Sequence, residues 1–171
     1  MKKLWLLFLL MAGCEGCVVI QPYTAILPLN MPQAGMSGQT LCDLNGVPTV
    51  VVSHLLLGND MELNAVLVHE RVHVRQVQRH GNCNAFMFAY TNSVQFRIEV
   101  EAEAYCAELE YRVNHGGLER GYGINRIVET LTTSPRYKLG EEVDSSAVAK
   151  LVKGLSGCRP DQGGLGSLSE R

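Results

Sequence analysis

The stretch NDMELNAVLVHERVHVRQVQRHG, at residues 59–81, carries the strongest structural pattern in the chain. Apolar residues recur along it at the spacing of one face of an α-helix. Asn59, with Glu62 three residues later, is typical of a helix N-terminus, because these side chains cap unpaired backbone N–H groups. Gly81 is expected to end the helix, since glycine readily adopts the left-handed backbone conformation found after the last helical residue. We therefore expect a helix from Asn59 to about Arg79.

Within this helix, residues 69–73 form an H-E-x-x-H motif. Residues four apart lie on one helix face about 6 Å apart along the axis, so His69 and His73 can bind one metal ion. Glu70 then faces the remaining coordination position, where a carboxylate can take a proton from a water molecule on Zn²⁺. The alternative is a helix with two satisfied surface histidines, but the motif is more typical of a zinc site.

A zinc site with two histidines needs a third protein ligand. His80 does not qualify, because the helix carries it about 16 Å from His69 along the axis. A second helical stretch, residues 84–113, is either continuous or broken near residues 91–93, and it carries three competing carboxylates, Glu99, Glu101 and Glu103. Helical phase puts Glu101 within about 60° of the centre of the apolar stripe and puts Glu99, Glu103 and Glu110 toward solvent. Glu101 is the predicted ligand, because a metal offsets the cost of burying its charge.

Residues 69–76 (HERVHVRQ) and 101–105 (EAEAY) together resemble segments of the gluzincin metallopeptidases. They are most similar to small zinc peptidases with an H-E-x-V-H-x-R-Q helix and an E-x-E-A-Y helix. The resemblance implies a zincin-like fold that is mainly α (α+β), with the H-E-x-x-H helix packed against the glutamate-bearing helix and a small strand element. It also implies one Zn²⁺ per chain, Glu70 as general base, and the metal ligands His69, His73 and Glu101.

Two residues depart from the family pattern. Arg71 replaces a usually apolar residue, and Tyr105 stands where many gluzincins have an Asp behind the ligands. Because Tyr105 lies one helical turn after the predicted glutamate ligand, it is a candidate partner of that ligand. His115 and Tyr122 are candidate donors to an oxyanion, as a His or Tyr is in gluzincins. His54 either lines the cleft or has a structural role, and the structural role is more common for a lone histidine.

The rest of the chain predicts a single domain with flanking segments. Residues 14–39 are rich in Pro and Gly without a helical period, which predicts a tether and an irregular lead-in continuing to about residue 46. The domain is expected at residues 40–153, with β-branched residues 47–52 forming a strand. Two short helices are expected at residues 124–131 and 144–152. A disordered Gly- and Ser-rich tail is expected at residues 154–171.

Composition narrows the classes of function. The chain has 171 residues, of which 46% are hydrophobic and 19% charged, so a packed core is expected. Fifteen Lys and Arg against 17 Asp and Glu give a formal net charge of −2 without a basic run, which argues against nucleic acid as a partner. Disulfide pairing is left open by the sequence for Cys42, Cys83, Cys106 and Cys158.

The N-terminal residues MKKLWLLFLLMAGC resemble a bacterial lipoprotein signal. A positive start precedes the apolar residues 4–11, which are too few to span a bilayer core of about 30 Å. The resemblance implies removal of a signal peptide at residues 1–13, acylation of Cys14, and anchoring at the outer membrane or periplasmic face of the bacterial envelope. The alternative is plain secretion after cleavage elsewhere.

These observations predict a zinc-dependent peptidase of the bacterial cell envelope that acts on a peptide or protein substrate. The alternative is a non-catalytic zinc-binding envelope lipoprotein that serves as a structural or binding module. A purely structural zinc site usually has four protein ligands and has no use for Glu70, so the open fourth position favours the enzyme.

Overall fold

The computed structural model describes residues 24–27, 37–138 and 142–159. The expected signal peptide at residues 1–13 and the acylated Cys14 lie outside these residues, as does the expected tail beyond residue 159. The chain divides into two compact units, the first ending at Tyr90 and the second beginning at Thr91. No helix in the described part of the chain is long and apolar enough to cross a membrane.

The first unit contains a small mixed sheet. Its strands are β1 (Thr24–Leu27), β2 (Gly38–Cys42) and β3 (Pro48–Ser53), in the order β1-β3-β2. β3 is central, pairing in parallel with β1 and antiparallel with β2. The predicted strand at residues 47–52 is therefore confirmed.

The expectation of irregular chain before this strand was wrong for β1 and β2. The sequence of β2, Gly-Gln-Thr-Leu-Cys, has little strand propensity of its own. Its order comes from backbone pairing with β3, in which Thr40 lies opposite the buried Val50. The two strands are joined by residues 43–47, and the Asn45-Gly46 pair in this turn is a local hairpin signal that could have indicated β2.

Helix α1 (Asp60–His80) follows the sheet and carries the H-E-x-x-H motif. At its start the side chain of Asn59 accepts a hydrogen bond from the backbone N–H of Glu62 at 3.1 Å. Gly81 ends the helix with a φ of 81°, and its N–H reaches the carbonyl of Val77 at 3.0 Å. The predicted caps are thus confirmed. The sheet and α1 share a core of apolar side chains: Val50, Val52, Val66 and Leu67.

A disulfide closes the first unit around this helix. Helix α2 (Cys83–Asn92) begins directly after α1, and its first residue is bonded to Cys42 at the end of β2. The closed loop between Cys42 and Cys83 contains β3 and all of α1.

The second unit is helical in its described part. It consists of α3 (Val94–Gly116), α4 (Arg120–Thr133), the short α5 (Pro135–Lys138) and α6 (Ser145–Gly154). Of the two alternatives for residues 84–113, the structure shows the broken one, because α2 ends at Asn92 and Ser93 caps the start of α3. α4 and α6 confirm the two shorter predicted helices. Their core contains apolar side chains from α3, α4 and α6, among them Ile98, Leu109, Ile127, Leu131 and Val152.

The start of the expected disordered tail is ordered. A 3₁₀ turn, Ser156–Cys158, follows α6, and Cys158 is fully buried in a disulfide with Cys106 of α3. The prediction of disorder was therefore wrong for residues 154–159, because this cross-link anchors the turn to the helical core. With Cys42–Cys83, it selects one of the three possible pairings. The described residues are mainly helical with a small sheet. This confirms the prediction of a mainly α fold with a small strand element.

Candidate metal centre

His69 and His73 lie on one face of α1 and converge on each other. Both are buried, and their Nε2 atoms are 3.2 Å apart. Two nitrogens that bind one tetrahedral Zn²⁺ at their usual bond length are separated by about 3.3 Å. The two imidazoles therefore already have the spacing that a shared zinc ion requires.

Gln76 orients one of these rings. Its Oε1 lies 2.8 Å from Nδ1 of His73, three residues earlier on the helix, and its side chain is buried. With the amide oxygen accepting, the proton of His73 is on Nδ1, and the Nε2 lone pair points toward His69. Metal-binding histidines are oriented in the same way by an acceptor on their other nitrogen.

Glu70 is buried at 4% exposure and is held by the sheet. Thr40 of β2 donates its hydroxyl to Glu70 Oε2 at 2.7 Å and lies 3.2 Å from the backbone carbonyl of the same residue. Thr40 was missed by the sequence analysis, because it belongs to the stretch that was expected to be irregular.

Gly38 allows this strand to approach the helix. A Cβ atom at Gly38 would lie 2.6 Å from Val66 Cγ1 and 2.9 Å from Glu70 Oε1. Both distances are shorter than carbon side chains tolerate, so any other residue would displace one of the two neighbours. The small residue in β2 therefore defines the space that the Glu70 side chain occupies.

In the second unit, Glu101 is among the most buried side chains of α3, with 2% exposure. Glu99 and Glu110 are exposed, and Glu103 is half-buried. This burial follows the helical phase from which Glu101 was predicted as the inward-facing carboxylate.

Three ligand-type side chains come together within the part of the chain that the structure describes. One nitrogen each from His69 and His73 and one carboxylate oxygen of Glu101 lie within 4.8 Å of one another, and all three residues are buried. Two imidazoles and one carboxylate are the donor set of a catalytic zinc site, which leaves a coordination position for water or substrate. The residues present thus fit the metal that the motif predicts.

Two tyrosines of the second unit have raised pKa values because they are buried and lie near Glu101. The hydroxyls of Tyr105 and Tyr137 are 2.8 Å apart. Burial, and next the carboxylate of Glu101, raise the pKa of Tyr105 to about 12. The same two causes raise the pKa of Tyr137 well above its ordinary value. Both hydroxyls stay protonated at neutral pH, and Tyr137, beyond the Ser134-Pro135 sequence, was not predicted to belong here.

The other predicted site residues lie elsewhere or are not described. His115 is exposed at the end of α3, where its Nδ1 bonds the carbonyl of Tyr111 at 2.9 Å. The helix places it about 21 Å along the axis from Glu101, so it does not join that carboxylate at one small site. Tyr122 is 58% exposed on α4. The side chain of His54 lies outside the described part of the structure.

No family model, curated protein or solved structure matches this chain.

Proposed function

We propose that this protein is a zinc-dependent peptidase with a zincin-like arrangement, in which His69, His73 and Glu101 bind the metal. One observation carries the proposal, namely the convergence of these three buried ligand atoms within 4.8 Å. Glu70 adjoins His69 in the chain and is the base of the proposed reaction. A buried carboxylate beside a site with an open position has a catalytic use, which a closed structural site would not provide.

Zn²⁺, when bound, supplies a Lewis acid that polarises a carbonyl and lowers the pKa of a water molecule to about 7. Glu70 takes a proton from the attacking water as the oxygen of that water bonds to the carbonyl carbon of the substrate. Glu70 then donates this proton to the nitrogen of the leaving amine as the carbon–nitrogen bond breaks. Gln76 keeps the His73 ring oriented throughout.

The proposed substrates are peptides or proteins of the bacterial cell envelope. This location rests on the lipoprotein-like signal that precedes Cys14, which would anchor the enzyme through acyl chains. Intact-mass analysis of membrane-fraction protein is expected to show a diacylglyceryl adduct at Cys14. A soluble, unmodified product would contradict the anchoring but not the proposed chemistry.

The metal is tested with two glutamates of one helix. Elemental analysis of the purified protein should find about one equivalent of zinc, as expected for a three-ligand catalytic site. Glu101→Ala should lose this zinc. Glu99→Ala is the matched control, because Glu99 is exposed and its carboxylate accepts from Gln95 at 2.6 Å on the helix surface. Zinc lost from the Glu99 variant and kept by the Glu101 variant would contradict the assignment.

The activity is tested by hydrolysis of a mixed peptide library. The zinc-loaded protein should cleave peptides, and a chelator should abolish cleavage until zinc is restored. Zinc-loaded protein that cleaves nothing in a broad library would favour the alternative, a metal-binding envelope module without catalysis.

A further inference from the structure

Two alternate residues of β2 contact α1. Gly38 lies against Val66 and Glu70, and Thr40 bonds Glu70. Alternate residues of a strand share one face of the sheet. The face of β2 that carries Gly38 and Thr40 therefore adjoins the side chain of Glu70.

We infer that Thr40 is the positioning residue for Glu70, fixing the orientation of its carboxylate. The hydroxyl of threonine has a single proton to donate. Its 2.7 Å distance to Oε2 is shorter than the 3.2 Å distance to the backbone carbonyl, so the proton goes to the carboxylate. A glutamate side chain loses considerable rotamer freedom when it is ordered, and this bond supports one orientation.

The strand that carries Thr40 is itself firmly placed. Thr40 is buried and pairs with Val50 of the central strand, which is 1% exposed. Two residues later, Cys42 is tied to Cys83 by a disulfide. Backbone pairing with β3 and the Cys42–Cys83 disulfide both hold this strand in place. The Thr40 hydroxyl therefore determines the position of the Glu70 carboxylate.

The catalytic consequence rests on the proposed function. A base displaced by about 1 Å can lower a rate about 100-fold. Thr40→Val keeps the branched shape and removes the hydroxyl, so kcat should fall about 10- to 100-fold while KM stays near the wild-type value. Thr40→Ser restores a hydroxyl and should recover kcat to within about 3-fold.

The first test measures both kinetics and zinc content. Zinc-loaded Thr40→Val should bind the metal with wild-type affinity, since the hydroxyl bonds Glu70, which is not one of the three proposed ligands, and should show the kcat loss with KM unchanged. Thr40→Ser should show rescue. An unchanged kcat in Thr40→Val, or an equal loss in Thr40→Ser, would overturn the inference.

The second test needs no activity and uses the metal-free full chain. Thr40→Val should lower the midpoint temperature of unfolding by about 4–8 °C, as expected for loss of one buried hydrogen bond in a unit of this size. In the background of Glu70→Ala the same substitution should lower it by less than half as much, because the acceptor is gone. Equal shifts in the two backgrounds would overturn the inference.

The two tests separate the possible failures. A wild-type protein that cleaves no peptide would remove the proposed function. The positioning of Glu70 by Thr40 would then be decided by the coupling of the two substitutions in the unfolding experiment alone.

Discussion

The Cys42–Cys83 disulfide should provide a large part of the stability of the first unit. It joins residues 41 positions apart and encloses β3 and α1. A cross-link stabilises a protein mainly by restricting the unfolded chain, and for a loop of this length the relation gives about 4 kcal/mol at 25 °C. Small domains have total stabilities of about 5–15 kcal/mol, so Cys42→Ala/Cys83→Ala should remove between about a quarter and four fifths of the stability of the unit.

Hydrogen exchange of α1 amides is the suitable assay, because it reports the opening free energy of this helix even if the two units unfold separately. Cys106→Ala/Cys158→Ala is the matched control. Its cross-link spans 52 positions within the second unit, and the same relation gives about 4 kcal/mol there. The control should weaken protection of α3 and α4.

The cross-link acts mainly by lowering the entropy of the unfolded chain. If Cys42→Ala/Cys83→Ala lowers the opening free energy of α1 by less than about 1 kcal/mol, the loop-entropy reasoning is refuted for this unit.

Three further predictions concern close packing and proton binding. Gly38→Ala should cost about 1–3 kcal/mol in chemical denaturation, because its Cβ would lie 2.6 Å from Val66 Cγ1. Gly123→Ala should cost a similar amount, about 1–3 kcal/mol, since its Cβ would overlap Leu109 Cδ1. Tyr105 should ionise near its pKa of about 12, so stability should fall as pH rises from 10 toward 12, where only the unfolded state loses this proton. The pKa of Tyr105 is measured by following phenolate absorbance against pH in the wild type and in Tyr105→Phe and taking the difference.

Gly154→Ala is a control for both glycines, because a Cβ there meets nothing within 4 Å, and equal losses in all three variants would rule out crowding as the cause. If the comparison with Tyr105→Phe shows that Tyr105 itself ionises near pH 10 in the folded protein, the burial of its hydroxyl is contradicted.

Local patterns were sufficient for the parts of the structure with local causes. The bounds of α1 follow from Asn59 and Gly81, whose caps act within one turn of the chain. The burial of Glu101 follows from its phase on α3, since its helical neighbours determine which face is apolar. These features could be predicted from the sequence alone.

Features that depend on contacts between residues distant in sequence could not be predicted from local patterns. Thr40 contacts Glu70 across 30 positions, so neither Thr40 nor Gly38 was identified as a neighbour of Glu70. The ordered turn at Cys158 depends on a disulfide partner 52 positions away. Tyr137 reaches Tyr105 across 32 positions, and no periodic pattern links the two.

The most direct test of the proposed mechanism compares wild type with Glu70→Gln, each shown by elemental analysis to carry one zinc ion. The substitution keeps the size of the side chain and an oxygen that accepts from Thr40, but removes its ability to take a proton. We expect hydrolysis of the peptide library by the wild type and a loss of at least about 100-fold in the variant, the lower range for a positioned base. Equal cleavage by the two zinc-loaded proteins would contradict the role of Glu70 and with it the proposed mechanism.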